Sequence, residues 1–210
     1  MTLRESGNFL RDGFNAKRSS VEELYFSKFL TLDDPQLTRL RDAGIQYCLD
    51  MASKSKPAYW LVLAGVSGTG KTHIAKSCVR FFTRNLDMLR DETKGSAGKT
   101  HYVRRGGFKN WPEAMIEMIG GDYTGLRQLC DDWLVCLDDI GAEYAGNREL
   151  SNSKLYEVFT AREGKFTIVT SNLSVKQISE TLDRRLASRL LRNGSVVIDV
   201  QTQDFNCRKK

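Results

Sequence analysis

The chain has 210 residues, 40% of them hydrophobic and 28% charged. That is enough apolar material for one compact domain with a short arm, and it excludes collagen-like, wholly disordered and small disulfide-scaffold classes. Lys and Arg number 32 against 26 Asp and Glu, a net charge of +6, which permits a polyanionic partner without specifying one.

Residues 1 to about 20 are polar, with Gly7, Gly13 and the run Lys17-Arg18-Ser19-Ser20, and read as an arm. Ser20 followed by Glu23 predicts a capping box ahead of a helix carrying Val21, Leu24, Phe29 and Leu30. A second helix is predicted from about Asp34-Pro35 to Ala52, with Leu37, Leu40, Ile45, Cys48 and Leu49 as its stripe. Lys54 to Pro57 breaks that pattern. Apolar runs then predict strands at Tyr59 to Ala64, His101 to Arg104, Leu134 to Leu137, Phe166 to Thr170 and Val196 to Val200. Helical patterns lie between them at Thr72 to Arg90, Trp111 to Ile119, Ser151 to Arg162 and Val175 to Leu191. Strands alternating with helices imply an α/β fold with a parallel sheet covered on both faces. The Gly- and Ser-rich stretch Lys94 to Lys99 reads as a flexible connection.

No apolar run nears the roughly 20 residues that cross a bilayer. Met1 to Arg11 is charged throughout, unlike a signal peptide. Cys48, Cys78, Cys130, Cys136 and Cys207 form no CxxC pair, and the two histidines are His73 and His101. No zinc site is expected. The scattered thiols suit a reducing, cytoplasmic setting, each read as a small buried apolar side chain.

The sharpest motif is Gly65-Val66-Ser67-Gly68-Thr69-Gly70-Lys71-Thr72, which satisfies GxxxxGK[ST]. Glycines let the backbone wrap a phosphate chain with N–H groups inward, and the helix that follows adds its positive end. Lys71 is placed to contact β- and γ-phosphates and Thr72 to hold Mg²⁺. A short Gly-rich turn arises by coincidence too, but this one follows an apolar strand and opens a helix with Ile74, Cys78, Phe82 and Leu86 on one face. Trp133 to Asp139 is an apolar strand ending in two carboxylates, where parallel sheets bind ligands. Asp138 is expected to hold Mg²⁺, and Asp139 to orient or deprotonate the attacking water. The alternative is a pair of solvated loop acids; Asp131 and Asp132, at the opposite strand end, are read that way. A third strand turns polar at Thr170-Ser171-Asn172. Asn172 is a candidate γ-phosphate sensor or water-positioning group, although Thr-Ser-Asn is also an ordinary turn. In Leu182 to Arg192, Arg185 and Arg189 share a helical face. They could reach a neighbouring subunit's nucleotide, whereas Arg184 and Arg192 read as solvated.

In this order and spacing, GVSGTGKTH (Gly65–His73), LDDIG (Leu137–Gly141), TIVTSNL (Thr167–Leu173) and LDRRLASRLL (Leu182–Leu191) resemble the AAA+ ATPases of the DnaC/IstB type. These are bacterial and phage helicase loaders and transposition helper ATPases. The resemblance runs from about Phe29 to Arg208, and Asp204 to Arg208 is similar to the family's Asp-aromatic-Arg ending, with an insertion. It implies a P-loop NTPase three-layer sandwich with a parallel five-stranded sheet in the order 5-1-4-3-2. About ten residues follow Val200, so no C-terminal lid is expected. It implies a nucleotide site at Gly65, Val66, Ser67, Gly68, Thr69, Gly70, Lys71, Thr72 and His73, Mg²⁺ at Thr72 and Asp138, and sensor 1 at Asn172. Arg189 becomes an arginine finger acting in trans and Arg185 a second interface arginine. Asp139 stands where many AAA+ proteins have Glu, and its shorter arm predicts slow hydrolysis. Residues 1–55 form an arm and helices that are a candidate partner-binding region, and residues 56–210 the ATPase core.

Between Lys94 and Asn110 lie five Lys or Arg and no acid, with Phe108 and Trp111 beside Lys109. Basic groups interleaved with aromatics can follow single-stranded DNA, and the resemblance puts this region at the DNA channel. Arg104, Arg105 and Lys109 are the candidates, weighed against a solvated loop; Trp111 reads as a buried helix anchor. The expected function is a DNA-stimulated ATPase that uses ATP and Mg²⁺, assembles as a ring or helical filament, and loads a replicative helicase. The alternatives are an ATP-gated transposition helper that recruits a transposase, and a small-molecule P-loop kinase.

Overall fold

The computed structural model describes residues 18–53, 56–85, 106–142, 148–192, 194–204 and 207. Among these, five strands form one parallel sheet in the order β2-β3-β4-β1-β5, with β1 Trp60–Gly65, β2 Gly106–Asn110, β3 Leu134–Asp138, β4 Phe166–Thr170 and β5 Val196–Val200. This is the expected 5-1-4-3-2 arrangement. Alternation along the strands sorts the core into two layers. Leu61 and Leu63 of β1 point to one side, with Cys136, Ile168 and Ile198. There they meet Leu37, Leu40, Ile45 and Cys48 of α2 (Pro35–Ser53) and Ile74, Cys78 and Phe82 of α3 (Lys71–Arg84). Trp60, Val62 and Ala64 point the other way, with Val135, Leu137 and Val169. That side is covered by α4 (Trp111–Ile119), α5 (Thr124–Asp131), α6 (Arg148–Ala161), α7 (Val175–Thr181) and α8 (Arg184–Leu191). The result is a three-layer α/β sandwich.

The N-terminal turn α1 (Arg18–Val21) runs into a π-helical turn at Glu22–Phe26. Ser20 therefore lies within the helix and is not the cap expected of it. Val21 and Phe26 join the same core layer as α2 and α3. The helix over Pro35–Ser53 starts where Asp34 accepts the Gln36 and Leu37 amides at 2.8 and 3.3 Å.

Three further expectations need correction. The second strand is Gly106–Asn110, inside the stretch read as a basic loop; the run His101 to Arg104 and the connection Lys94 to Lys99 lie outside the described residues. Gly106 is there because a Cβ would come within 2.3 Å of the Phe82 ring, so packing overrides its poor strand propensity. The helix expected over Val175 to Leu191 is two helices. Leu182 is extended and Asp183 caps α8 by accepting the Arg185 amide at 2.7 Å. Finally, Cys207 is exposed and Cys130 half-buried, while Cys48, Cys78 and Cys136 are buried as expected. The helix Thr124–Asp131 was not anticipated, because Gly120-Gly121 interrupts the pattern and its buried face is only Leu126 and Leu129. No described helix is long and apolar enough to cross a membrane.

Candidate nucleotide site

Strand β1 ends at Gly65, and α3 begins at Lys71, so Gly65–Thr72 joins the carboxyl end of a central strand to a helix N-terminus. The loop is anchored at its base, where the Gly65 amide donates to Leu173 O at 3.0 Å and the Val66 amide to Val200 O at 2.9 Å. Gly70 has φ 87°, and a Cβ there would come within 2.6 Å of the Phe29 ring. Only glycine suits both the left-handed backbone and the close ring. Phe29 also meets His73 edge-on at 5.7 Å. Burial lowers the pKa of His73.

Lys71 is buried, and its ammonium is folded into the loop. It donates to Gly65 O at 2.9 Å, Val66 O at 2.6 Å and Thr69 Oγ1 at 3.5 Å. Burial pulls its pKa down to about 8, against the opposing pull of Asp139, Asp138 and Asp199. An anion in the loop would offer this ammonium stronger partners than three neutral oxygens.

The acids at the end of β3 meet the loop. Thr72 Oγ1 donates to Asp138 Oδ1 at 2.9 Å, across 66 residues of chain. Asn172 Nδ2 donates to Asp139 Oδ1 at 2.5 Å. Asp139 has φ 65°, a left-handed conformation that costs a non-glycine residue about 1–2 kcal/mol. Strain of this kind persists where the surroundings over-determine it. Thr72, Asp138, Asp139 and Asn172 are thus gathered at the carboxyl ends of β3 and β4 beside the loop. Among the described residues, no group of three or more His, Cys, Asp or Glu is placed to hold a metal ion. Thr72 and Asp138 instead present hydroxyl and carboxylate oxygens, the hard donors that Mg²⁺ takes alongside substrate phosphates.

A cleft of about 360 Å³ opens over the loop. Its floor is Gly68–His73 with Asn172, and its wall is Lys28, Phe29, Leu30 and Leu37 from the N-terminal region. Those four were not anticipated, because no local pattern marks an aromatic that covers a loop more than thirty residues later. Thr170, between the two acids and Asn172, was also missed. The polar end of its strand was the available signal.

The arginines stand elsewhere. Arg185 and Arg189 border a separate cleft of about 370 Å³ with Tyr156, Glu163, Arg184 and Arg192, and neither lines the loop cleft. Arg189 pairs with Glu163, donates to Tyr156 Oη at 3.1 Å, and lies 4.6 Å over that ring. Arg185 lies 5.2 Å from the same ring and pairs with Asp183 at 2.9 Å. Of the DNA candidates, Arg104 and Arg105 lie outside the described residues. Lys109 is on the edge strand β2, with its ammonium 2.6 Å from Glu117. Trp111 is fully buried and donates to Ser151 Oγ at 2.9 Å, as a helix anchor should.

No protein-family model matches the chain, and no curated protein matches it in sequence. Solved structures do match it in shape. A crystal structure of DnaI aligns with TM-score 0.61 at 18% identity, covering 88% of this chain and 91% of that one. The DnaC helicase loader aligns with TM-score 0.57 at 17% identity over 77% and 90%. The replication initiator DnaA bound to AMPPCP and single-stranded DNA aligns with TM-score 0.53 at 17% identity, over 91% of this chain and 52% of that one. The Gly65–Thr72 loop, the acids facing it and the 5-1-4-3-2 sheet therefore sit in a fold of the DnaC type, shared with the DnaI and DnaA structures.

Proposed function

We propose that this chain is an ATPase that assembles with copies of itself on single-stranded DNA and loads a replicative helicase. The observation that carries the ATPase reading is the bond from Thr72 to Asp138 beneath the Gly65–Thr72 loop. It brings the two groups of a metal–triphosphate site together from distant parts of the chain. Thr72 and Asp138 would hold Mg²⁺, which when bound would neutralise charge on the β- and γ-phosphates.

The chain's own groups account for the rest. Loop amides and the Lys71 ammonium bind the phosphates. Asp139 orients the attacking water and accepts its proton as the water oxygen bonds to the γ-phosphorus and the bond to the β–γ bridging oxygen breaks, releasing ADP. Asn172 holds the Asp139 carboxylate in place. A guanidinium is lacking among the described residues that line the loop cleft. Arg189, with Arg185 beside it, borders a cleft separate from the loop, and Arg189 is assigned the finger acting in trans on a neighbouring protomer's nucleotide. The likeness in fold to a helicase loader supports the loading role. DNA contact is assigned to Arg104, Arg105 and Lys109, with Lys109 exchanging Glu117 for phosphate.

The test is an ATPase assay with and without single-stranded DNA, joined to recovery of partners on the ATP-loaded protein. ATP turnover raised by DNA, with recovery of a replicative helicase, is expected. Recovery of a transposase instead would overturn the loading role, and phosphoryl transfer to a nucleoside by a monomer would overturn the ATPase reading.

A further inference from the structure

Thr170 closes β4 and is 2% exposed. Its hydroxyl works in both directions. It donates to Asp138 Oδ1 at 2.7 Å and accepts the Asp139 amide at 2.9 Å. A hydroxyl has one proton and two lone pairs, so both bonds are satisfied at once. The Thr170 carbonyl accepts the next amide, that of Ile140, at 3.0 Å. One residue therefore grips three consecutive residues, Asp138, Asp139 and Ile140, just past the last strand pair, Leu137 with Val169. That segment contains the left-handed turn at Asp139.

The Asp138 oxygen that Thr170 holds is the one that Thr72 also holds. In the proposed reading, on which this inference rests, Thr72 turns to the metal. Thr170 is then the hydroxyl left to orient the Asp138 carboxylate. The same atom fixes the backbone from which Asp139 projects. A single buried hydroxyl thus sets the spacing between the acid that holds the metal and the acid that orients water.

We propose that Thr170 is a positioning residue for ATP hydrolysis, locking Asp138 and Asp139 into one rigid unit through its hydroxyl. A purely structural role would need only the shape of the side chain. Thr170→Val keeps that shape and loses the hydroxyl; Thr170→Ser keeps the hydroxyl and loses a methyl.

The experiment measures binding of a fluorescent ATP analogue with Mg²⁺ and with EDTA, then kcat, KM and thermal unfolding, for both variants, the parent protein and Asp138→Ala. Outer-shell partners of metal sites typically contribute about 10–100-fold. For Thr170→Val we expect kcat to fall by about 10-fold or more with KM little changed. The tightening of binding by Mg²⁺ should shrink by a similar factor, and binding in EDTA should stay as in the parent. Thr170→Ser should restore both to within about 3-fold. Thr170→Val with a parental Mg²⁺ effect and kcat overturns the inference. So does Thr170→Ser as impaired as Thr170→Val, or a loss that is equal with and without Mg²⁺. If Asp138→Ala abolishes the Mg²⁺ effect while Thr170→Val keeps it, this inference alone fails. If Asp138→Ala also keeps it, or the parent binds no ATP, the proposed site itself fails.

Discussion

Arg189 is paired inside its own protomer with Glu163, while its guanidinium lies over Tyr156 at 4.6 Å. In the proposed assembly, a finger that serves a neighbour has to leave this pair, so Glu163 would compete with assembly. The pair is on the surface, with Glu163 about half exposed, and such pairs contribute about 0–1 kcal/mol. The competition is therefore a modest one. Glu163→Gln should lower the protein concentration that gives half-maximal ATPase activity by up to about 5-fold, with nucleotide affinity unchanged. Arg189→Ala should bind nucleotide normally and lose turnover. Full turnover by Arg189→Ala at every protein concentration would exclude the finger role.

In the proposed site, Lys71 ties nucleotide binding to pH. Its pKa is about 8 in the free protein because burial disfavours the ammonium. A triphosphate beside it favours the charged form, so binding raises that pKa and takes up protons when the pH is near or above 8. Affinity should hold below that pH and weaken as pH rises through it. Calorimetry at pH 8.5 in buffers of different ionisation heat should show net proton uptake, and Lys71→Ala should abolish nucleotide binding. The fold itself responds in the opposite sense. The unfolded lysine holds its proton up to its ordinary value of 10.5, so Lys71 contributes less below pH 8, and its contribution improves as pH rises from there towards 10.5. Binding independent of pH from 7 to 9 would show that Lys71 is charged in the free loop.

Gly70 and Phe29 form a second coupled pair. Gly70→Ala meets both a backbone at φ 87° and a ring 2.6 Å from the new Cβ. The backbone part alone costs about 1–2 kcal/mol. Nucleotide affinity should drop by about 10-fold or more. Adding Phe29→Ala removes the collision but not the backbone strain, so the double variant should recover only part of the loss. Complete recovery in a double-mutant cycle would mean that the collision is the whole effect.

Much of this site is legible along the chain, for particular reasons. The Gly65–Thr72 loop is a contiguous motif, β3 and β4 are short apolar runs buried along their whole length, and β5 is a short run beside β1 buried only at Ile198 and Val200. Phe166–Thr170, Val196–Val200 and Trp111–Ile119 match expectation to the residue. What escaped depends on distant contacts. Gly106 is in a strand because Phe82 lies against it. The break at Leu182-Asp183 reflects a cap winning over helix continuation. Phe29 covers the loop, and Thr170 grips two acids 32 and 31 residues earlier; neither relation leaves a periodic trace.

Asp139 is the proposed water-orienting acid, and its carboxylate is held by Asn172 at 2.5 Å. Asp139→Asn keeps the shape but cannot accept the proton. Loss of a general base typically costs about 10²–10⁴-fold, so kcat should fall by at least about 10²-fold with nucleotide affinity unchanged. Asn172→Ala should give a smaller fall, since the carboxylate remains. Single-turnover hydrolysis alongside analogue binding separates the two. Equal losses of binding and turnover would place Asp139 in the cradle rather than in the chemistry.

Arg162 provides a control for stability apart from chemistry. It is fully buried, and its five N–H groups reach Thr167 Oγ1 at 2.9 Å and the carbonyls of Leu129, Asp132, Trp133 and Phe166 at 3.1, 2.5, 3.2 and 2.5 Å. Burial lowers its pKa to about 10. The groups it binds cluster at the starts of β3 and β4 and the end of α5, whereas Asp138 closes the opposite end of β3 and Asn172 lies past that of β4. Arg162→Met removes the buried hydrogen bonds to Leu129 O, Phe166 O and Thr167 Oγ1, at about 1–3 kcal/mol each where water cannot replace them. Denaturant unfolding should show a loss of at least about 3 kcal/mol. Arg162→Lys should recover little, because three rotating donors cannot match the planar fork. Turnover per folded molecule at low temperature should stay parental in both. A variant with parental stability would mean that the guanidinium's own desolvation cost cancels its hydrogen bonds.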